Sequence, residues 1–102
     1  RITPLLKESR TQTVAAGDMI TPLSTYQPIS ALTNLTTSNT GVLPPSAAWV
    51  GRVLIVDNVS TCTITVKDSA TTVMGADKAV TPDGILAFIA RAGKWILLWD
   101  TK

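Results

Sequence analysis

The stretch "ILAFIARAGKWILLW" (residues 85–99) decides the fold. Two apolar runs, ILAFIA at 85–90 and KWILLW at 94–99, flank Arg91-Ala92-Gly93, and that spacing predicts a β-hairpin. In an extended second run, Trp95, Leu97 and Trp99 fall on one face and Ile96 and Leu98 on the other. An ordinary half-buried strand alternates apolar with polar residues; this one is apolar on both sides. The reading is a strand covered twice. One layer is the core of the domain, and the other meets a second sheet, the N-terminal arm or another subunit. Trp49, Trp95, Ile96, Leu97, Leu98 and Trp99 are accordingly the candidate core and subunit-interface residues.

Working outward, Asp83-Gly84 marks a turn before the hairpin. Further upstream, "TCTITVKD" (61–68) puts Cys62, Ile64 and Val66 on one side and Thr61, Thr63, Thr65 and Lys67 on the other, a half-buried strand. "VLIV" (53–56) is apolar on both sides, so it lies centrally in a sheet or is covered on the outside. Asp57-Asn58 reads as turn chemistry between these strands. "TTSNTGVLPPSAA" (36–48) reads as a long loop, and "ISALTNL" (29–35) alternates with Ile29, Ala31, Thr33 and Leu35 on one side. "MITPLSTYQP" (19–28), with prolines near both ends, suits an edge strand or an irregular extended segment. "TQTVA" (11–15) is a first strand followed by a Gly17-Asp18 turn.

Sixteen threonines favour strands over helices, and six prolines and six glycines leave little room for a helix of ordinary length. The expected fold is an all-β, antiparallel β-sandwich or jelly-roll-like single domain over residues 13–102, preceded by an extended arm at 1–12. The arm carries Ile2, Pro4, Leu5, Leu6, Lys7 and Arg10 as candidate contacts with a larger assembly.

Composition narrows the function. The 102 residues are enough for one modest core. Only 16% of them are charged, a low share that points to an outer surface covered by partners. The net charge is +2 with no basic run, which gives no support for nucleic-acid or membrane binding. No apolar run approaches the roughly 20 residues of a membrane-spanning helix. "RITPLLKESR" lacks the plan of a signal peptide. Cys62 is alone and lies in a strand pattern, where a thiol acts as a small hydrophobe. Histidine is absent and Glu8 is the single glutamate, so no general-base, nucleophile or paired-carboxylate set can be assembled. Neither an enzyme nor a bound cofactor or metal is expected.

Other motifs read blandly. "ITPL" at 2–5 and 20–23 is a chance recurrence. Asn34-Leu35-Thr36 and Asn58-Val59-Ser60 match the glycosylation acceptor pattern but read as turn and strand-end residues. Asp68, Asp77 and Asp83 lack the spacing of a calcium loop and read as turn residues. Trp49, Trp95, Trp99 and Tyr26 fit a sugar-stacking platform only if exposed and coplanar; packing is the favoured reading.

From Trp49 to Trp99 the pattern "GRVLIVDNVSTCTITVKDS", a loop, then "TPDGILAFIARAGKWILLW" resembles small β-sandwich modules of tailed-bacteriophage virions. The run of hydrophobic strand, threonine-valine strand, Pro/Asp-Gly turn and late Gly-x-Trp hairpin carries the resemblance. Ala92-Gly93-Lys94-Trp95 stands where an Asp-Gly-Thr-x-Trp version is commoner. The resemblance implies a virion structural protein, first a capsid decoration (cement) protein on the outer surface of the head. Such a protein would be made in the host cytoplasm and would form homotrimers bound to the major capsid protein. A head-fibre or tail-fibre module is the alternative in the same setting. A carbohydrate-binding adhesin module is the alternative from another class.

Overall fold

The structure is a computed structural model and describes residues 10–101. Among the described residues nine strands run in chain order: β1 (Gln12–Thr13), β2 (Tyr26–Ser30), β3 (Leu35–Thr36), β4 (Val53–Asn58), β5 (Ile64–Val66), β6 (Thr72–Val73), β7 (Lys78–Val80), β8 (Ile85–Arg91) and β9 (Lys94–Asp100). A single 3-10 turn, Ala47–Trp49, precedes β4. The strands form a six-stranded sheet of order β1-β2-β4-β8-β9-β6 and a three-stranded sheet of order β3-β5-β7. The all-β sandwich expected from the sequence is the fold observed.

Its pairing is mixed where antiparallel pairing was expected. The β4·β8, β8·β9 and β5·β7 pairs are antiparallel, while β1·β2, β2·β4, β3·β5 and β6·β9 are parallel. Connectivity is the reason. Parallel neighbours require a crossover, whereas a two-residue loop joins antiparallel ones. After β2 the chain leaves for the other sheet at β3, crosses back through 37–52, and enters β4 running the same way as β2. "ISALTNL" is therefore two strands in two sheets: Ile29 ends in β2 and Leu35 opens β3. The loop at 36–48 also contributes to the core, through a parallel bridge between Ile20 and Val42, both fully buried.

The hairpin of 85–99 forms as its spacing predicts. Arg91 pairs with Lys94 across Ala92-Gly93, and Gly93 has φ 72°, a conformation that costs glycine little. β4 lies between β2 and β8, as an apolar strand should. Leu54 and Val56 of β4, Leu86, Phe88 and Ala90 of β8, and Trp95 of β9 point inward. They meet Ile64, Val66 and Val80 of the smaller sheet. Each such aliphatic or aromatic side chain contributes about 1.5–3 kcal/mol by leaving water.

Buried polar side chains organise the crossings. Asn58 is fully buried. Its amide donates to the carbonyls of Cys62 and Val80 at 2.7 and 2.8 Å, and its oxygen accepts from Ser60 N–H and Oγ–H. It thereby shapes the bend that carries the chain from β4 to β5. Asp57 and Asn58 end a strand rather than forming the turn themselves. Buried Gln27 accepts from Leu23 N–H and donates to the carbonyl of Arg10. Residues 10–13 are thus attached to the domain's own sheet, with Gln12 and Thr13 paired to Ile29 and Ser30.

Candidate assembly surface

The two faces of β9 part company, though not along the line that strict alternation draws. Trp95 is fully buried, edge-on to Trp49 at 5.3 Å and to Phe88 at 6.4 Å, with its indole N–H donating to the Leu43 carbonyl at 2.8 Å. Leu97 packs against the same core. Trp99 does not. Phe88 pairs with Leu97 but Ala87 pairs with Trp99, so Leu98 is an extra residue in the ladder, a β-bulge. A one-residue slip reverses which face a side chain takes. The bulge therefore moves Trp99 to the outer face, where it is 50% exposed, and Leu98 is 51% exposed beside it. The expectation that Trp95, Leu97 and Trp99 share a layer holds for the first two only.

Strand register builds the outer face of the six-stranded sheet. One cross-strand row is Tyr26, Ile55, Ala87 and Trp99; the next is Val53, Ile89, Ile96 and Val73. Ala87 is nearly inaccessible, and as the smallest side chain of its row it forms a floor between larger neighbours. Tyr26, Val53, Leu98 and Trp99 are all exposed, and Ile55, Ile89 and Ile96 are half-buried. Monomeric proteins rarely expose contiguous apolar patches beyond a few hundred Å².

Polar groups sit at its ends. Tyr26 Oη donates to Asp57 Oδ2 at 2.7 Å. That hydrogen bond to a carboxylate raises the Tyr26 pKa above its ordinary 10.0, with burial and the Asp57 charge acting in the same direction. Arg91 and Lys94, both exposed, form the cross-strand pair at the opposite end. The Arg52 guanidinium lies over the Trp49 ring at 5.6 Å, covering the exposed side of that half-buried indole.

Of the residues singled out by sequence, Trp49, Trp95 and Leu97 belong to the interior cluster, while Ile96, Leu98 and Trp99 belong to the outer surface. Arg10 is exposed, and its carbonyl accepts from Gln27. Ile2, Pro4, Leu5, Leu6 and Lys7 lie outside the described residues. The sequence reading missed Ile55, Ala87 and Ile89 as members of the surface. Their signal was present: "ILAFIA" is apolar at odd and even positions alike.

The two ring pairs of the interior are not coplanar. Trp49 and Trp95 meet at 73°, and Trp99 stands apart from them on the other side of the sheet. An apolar hollow of about 220 Å³ between the starts of the two sheets is lined by Thr13, Val14, Ala15, Ala16, Leu32, Thr33 and Leu35, without an ionisable side chain. No cluster of His, Cys, Asp or Glu suited to a metal occurs among the described residues. Asp68 instead accepts from Met74 N–H and Gly75 N–H, and Asp77 accepts from Asp68 N–H and pairs with Lys67 at 3.1 Å. The chain matches no family model, no curated protein and no solved structure.

Proposed function

We propose that this protein is a non-enzymatic structural module of a bacteriophage virion, a decoration protein that binds the outer surface of the head and stabilises it. The observation that carries the reading is the apolar outer face of the six-stranded sheet. A fold this small gains nothing in solubility from a face of isoleucine, valine and tryptophan, so the face is suited to being covered in an assembly. The virion setting rests on the resemblance across residues 49–99. Many copies at fixed lattice positions turn modest contacts into stable attachment through multivalency. In this reading the sandwich clusters with its own copies, and the N-terminal arm supplies contacts with the major capsid protein.

Trp95 is enclosed in the core and meets Trp49 at 73°, which favours packing and assembly over a sugar-stacking platform of coplanar tryptophans. The test is biochemical. Purified particles should contain the protein in a fixed ratio to the major capsid protein, and particles lacking it should lose integrity at lower temperature. Deleting Arg1–Arg10 should leave the sandwich folded and lower its occupancy on particles. A protein absent from purified particles would end the proposal.

A further inference from the structure

The apolar face has charges of opposite sign at its two ends. Arg91 and Lys94 face out at the hairpin end. Neither Arg91 nor Lys94 makes an ion pair among the described residues. At the other end Asp57 closes β4 on the same face, and exposed Asp83 lies in the turn that leads into β8. Asp100 also lies at that end but is held by Lys78 of the smaller sheet at 3.3 Å. Along the strands the order is basic, apolar, acidic.

A surface in that order is complementary to itself. Two copies stacked face to face, with their strands antiparallel, bring the Arg91–Lys94 end of each over the partner's Asp57 end. Stacking with strands parallel, or gathering around an axis along the strands, crowds like charges together. A strand rise of ~3.4 Å and a strand spacing of ~4.8 Å give the four-stranded middle of the face on the order of 400 Å². That is about half of the ~800 Å² each partner gives a standard interface, and the charged ends enlarge it.

We propose that the occupant of this face is a second copy of the chain, docked antiparallel across a two-fold axis with Ile55, Ala87 and Ile89 near its centre and Ile96 and Trp99 beside them. The pairing deepens the assembly reading above and does not depend on where the assembly is displayed. Three-fold clustering of the kind the resemblance implies would then use a different surface.

The test is light scattering coupled to size-exclusion chromatography on the full chain, from micromolar to millimolar concentration, at low and high salt. The wild type should pass from monomer to dimer, with weaker pairing at high salt. Arg91→Glu with Lys94→Glu should weaken pairing by about tenfold, because each dimer loses the contact twice. Adding Asp57→Lys cancels the net negative charge of the other end and should restore part of the pairing lost by the double variant. Circular dichroism melts at dilution establish that each variant is folded; if Asp57→Lys does not fold, the double variant and the salt series decide alone. A chain that stays monomeric throughout overturns the proposal. So does a trimer broken by Trp99→Ala, or a double variant that pairs as well as or better than wild type. A monomer that still binds particles would refute the two-fold pairing and leave the virion reading standing; a dimer absent from particles would do the reverse.

Discussion

Replacing Trp95 and Trp99 separately by alanine asks the structure to tell two similar residues apart. Four positions separate them on one strand, and strict alternation would give them the same environment. Trp95 is fully enclosed, so its removal exposes the core to a cavity bordered by Trp49 and Phe88. A tryptophan buries roughly 150–250 Å², and at about 25 cal/mol per Å² that is worth ~4–6 kcal/mol. Measured truncations of buried aromatics cost about 3–5 kcal/mol, in agreement. The Leu43 carbonyl also loses its indole donor, a further loss of about 1 kcal/mol. Domains of this size are stable by only ~5–15 kcal/mol, so Trp95→Ala should lower the melting temperature by at least ~15 °C or prevent folding. Trp95→Phe keeps most of the ring and should recover more than half of that loss. Trp99→Ala removes a half-exposed side chain and should cost less than about 1 kcal/mol in the dilute monomer. Urea unfolding of dilute protein, followed by circular dichroism, measures all three. Equal destabilisation by Trp95→Ala and Trp99→Ala would refute the bulge and with it the division of β9 between core and surface.

Deleting Leu98 should remove the bulge and leave Trp99 opposite Ala87 on the outer face, so it should lower the unfolding midpoint far less than Trp95→Ala does; paired urea titrations compare the two. Asn58→Ala strands two carbonyls at the crossing from β4 to β5 and should cost about 2–4 kcal/mol by denaturant unfolding, with Asn58→Asp unable to replace the lost donors. Tyr26 has a folded pKa above its ordinary 10.0, so the protonated phenol favours the folded state. Its contribution is complete below that unfolded value and is lost as pH rises through the folded one. Tyr26→Phe should therefore remove the part of the alkaline stability loss that the wild type shows in melts above pH 10.0.

Much of this fold could be read from the chain because its signals are local. The hairpin at 85–99 follows from two apolar runs and a Gly93 able to take positive φ. The burial of Ile64 and Val66 follows from simple alternation in β5. Parallel pairing could not be read in the same way. β2 and β4 are separated by 22 residues that visit the other sheet, and nothing local in "YQPIS" names Val53–Asn58 as its neighbour. The bulge escaped for a related reason. Trp95-Ile96-Leu97-Leu98-Trp99 is apolar at every position, so the sequence carries no polar residue to mark where alternation slips. Asn58 was mistaken for a turn residue because its chemistry serves the turn while its backbone stays in the strand. The division of the apolar layers into core and surface became readable only once register placed Ala87 opposite Trp99.

Hydroxyl-radical footprinting of Trp99 tests the central claim most directly. Its oxidation should be measured in the dilute free chain and again in the protein carried on purified particles. Met19, exposed and outside the apolar face, serves as the internal standard. With that face covered in the working assembly, Trp99 should react readily in the free chain and become strongly protected on particles, while Met19 changes far less. A Trp99 equally reactive in both states would contradict the claim that this surface exists to be covered.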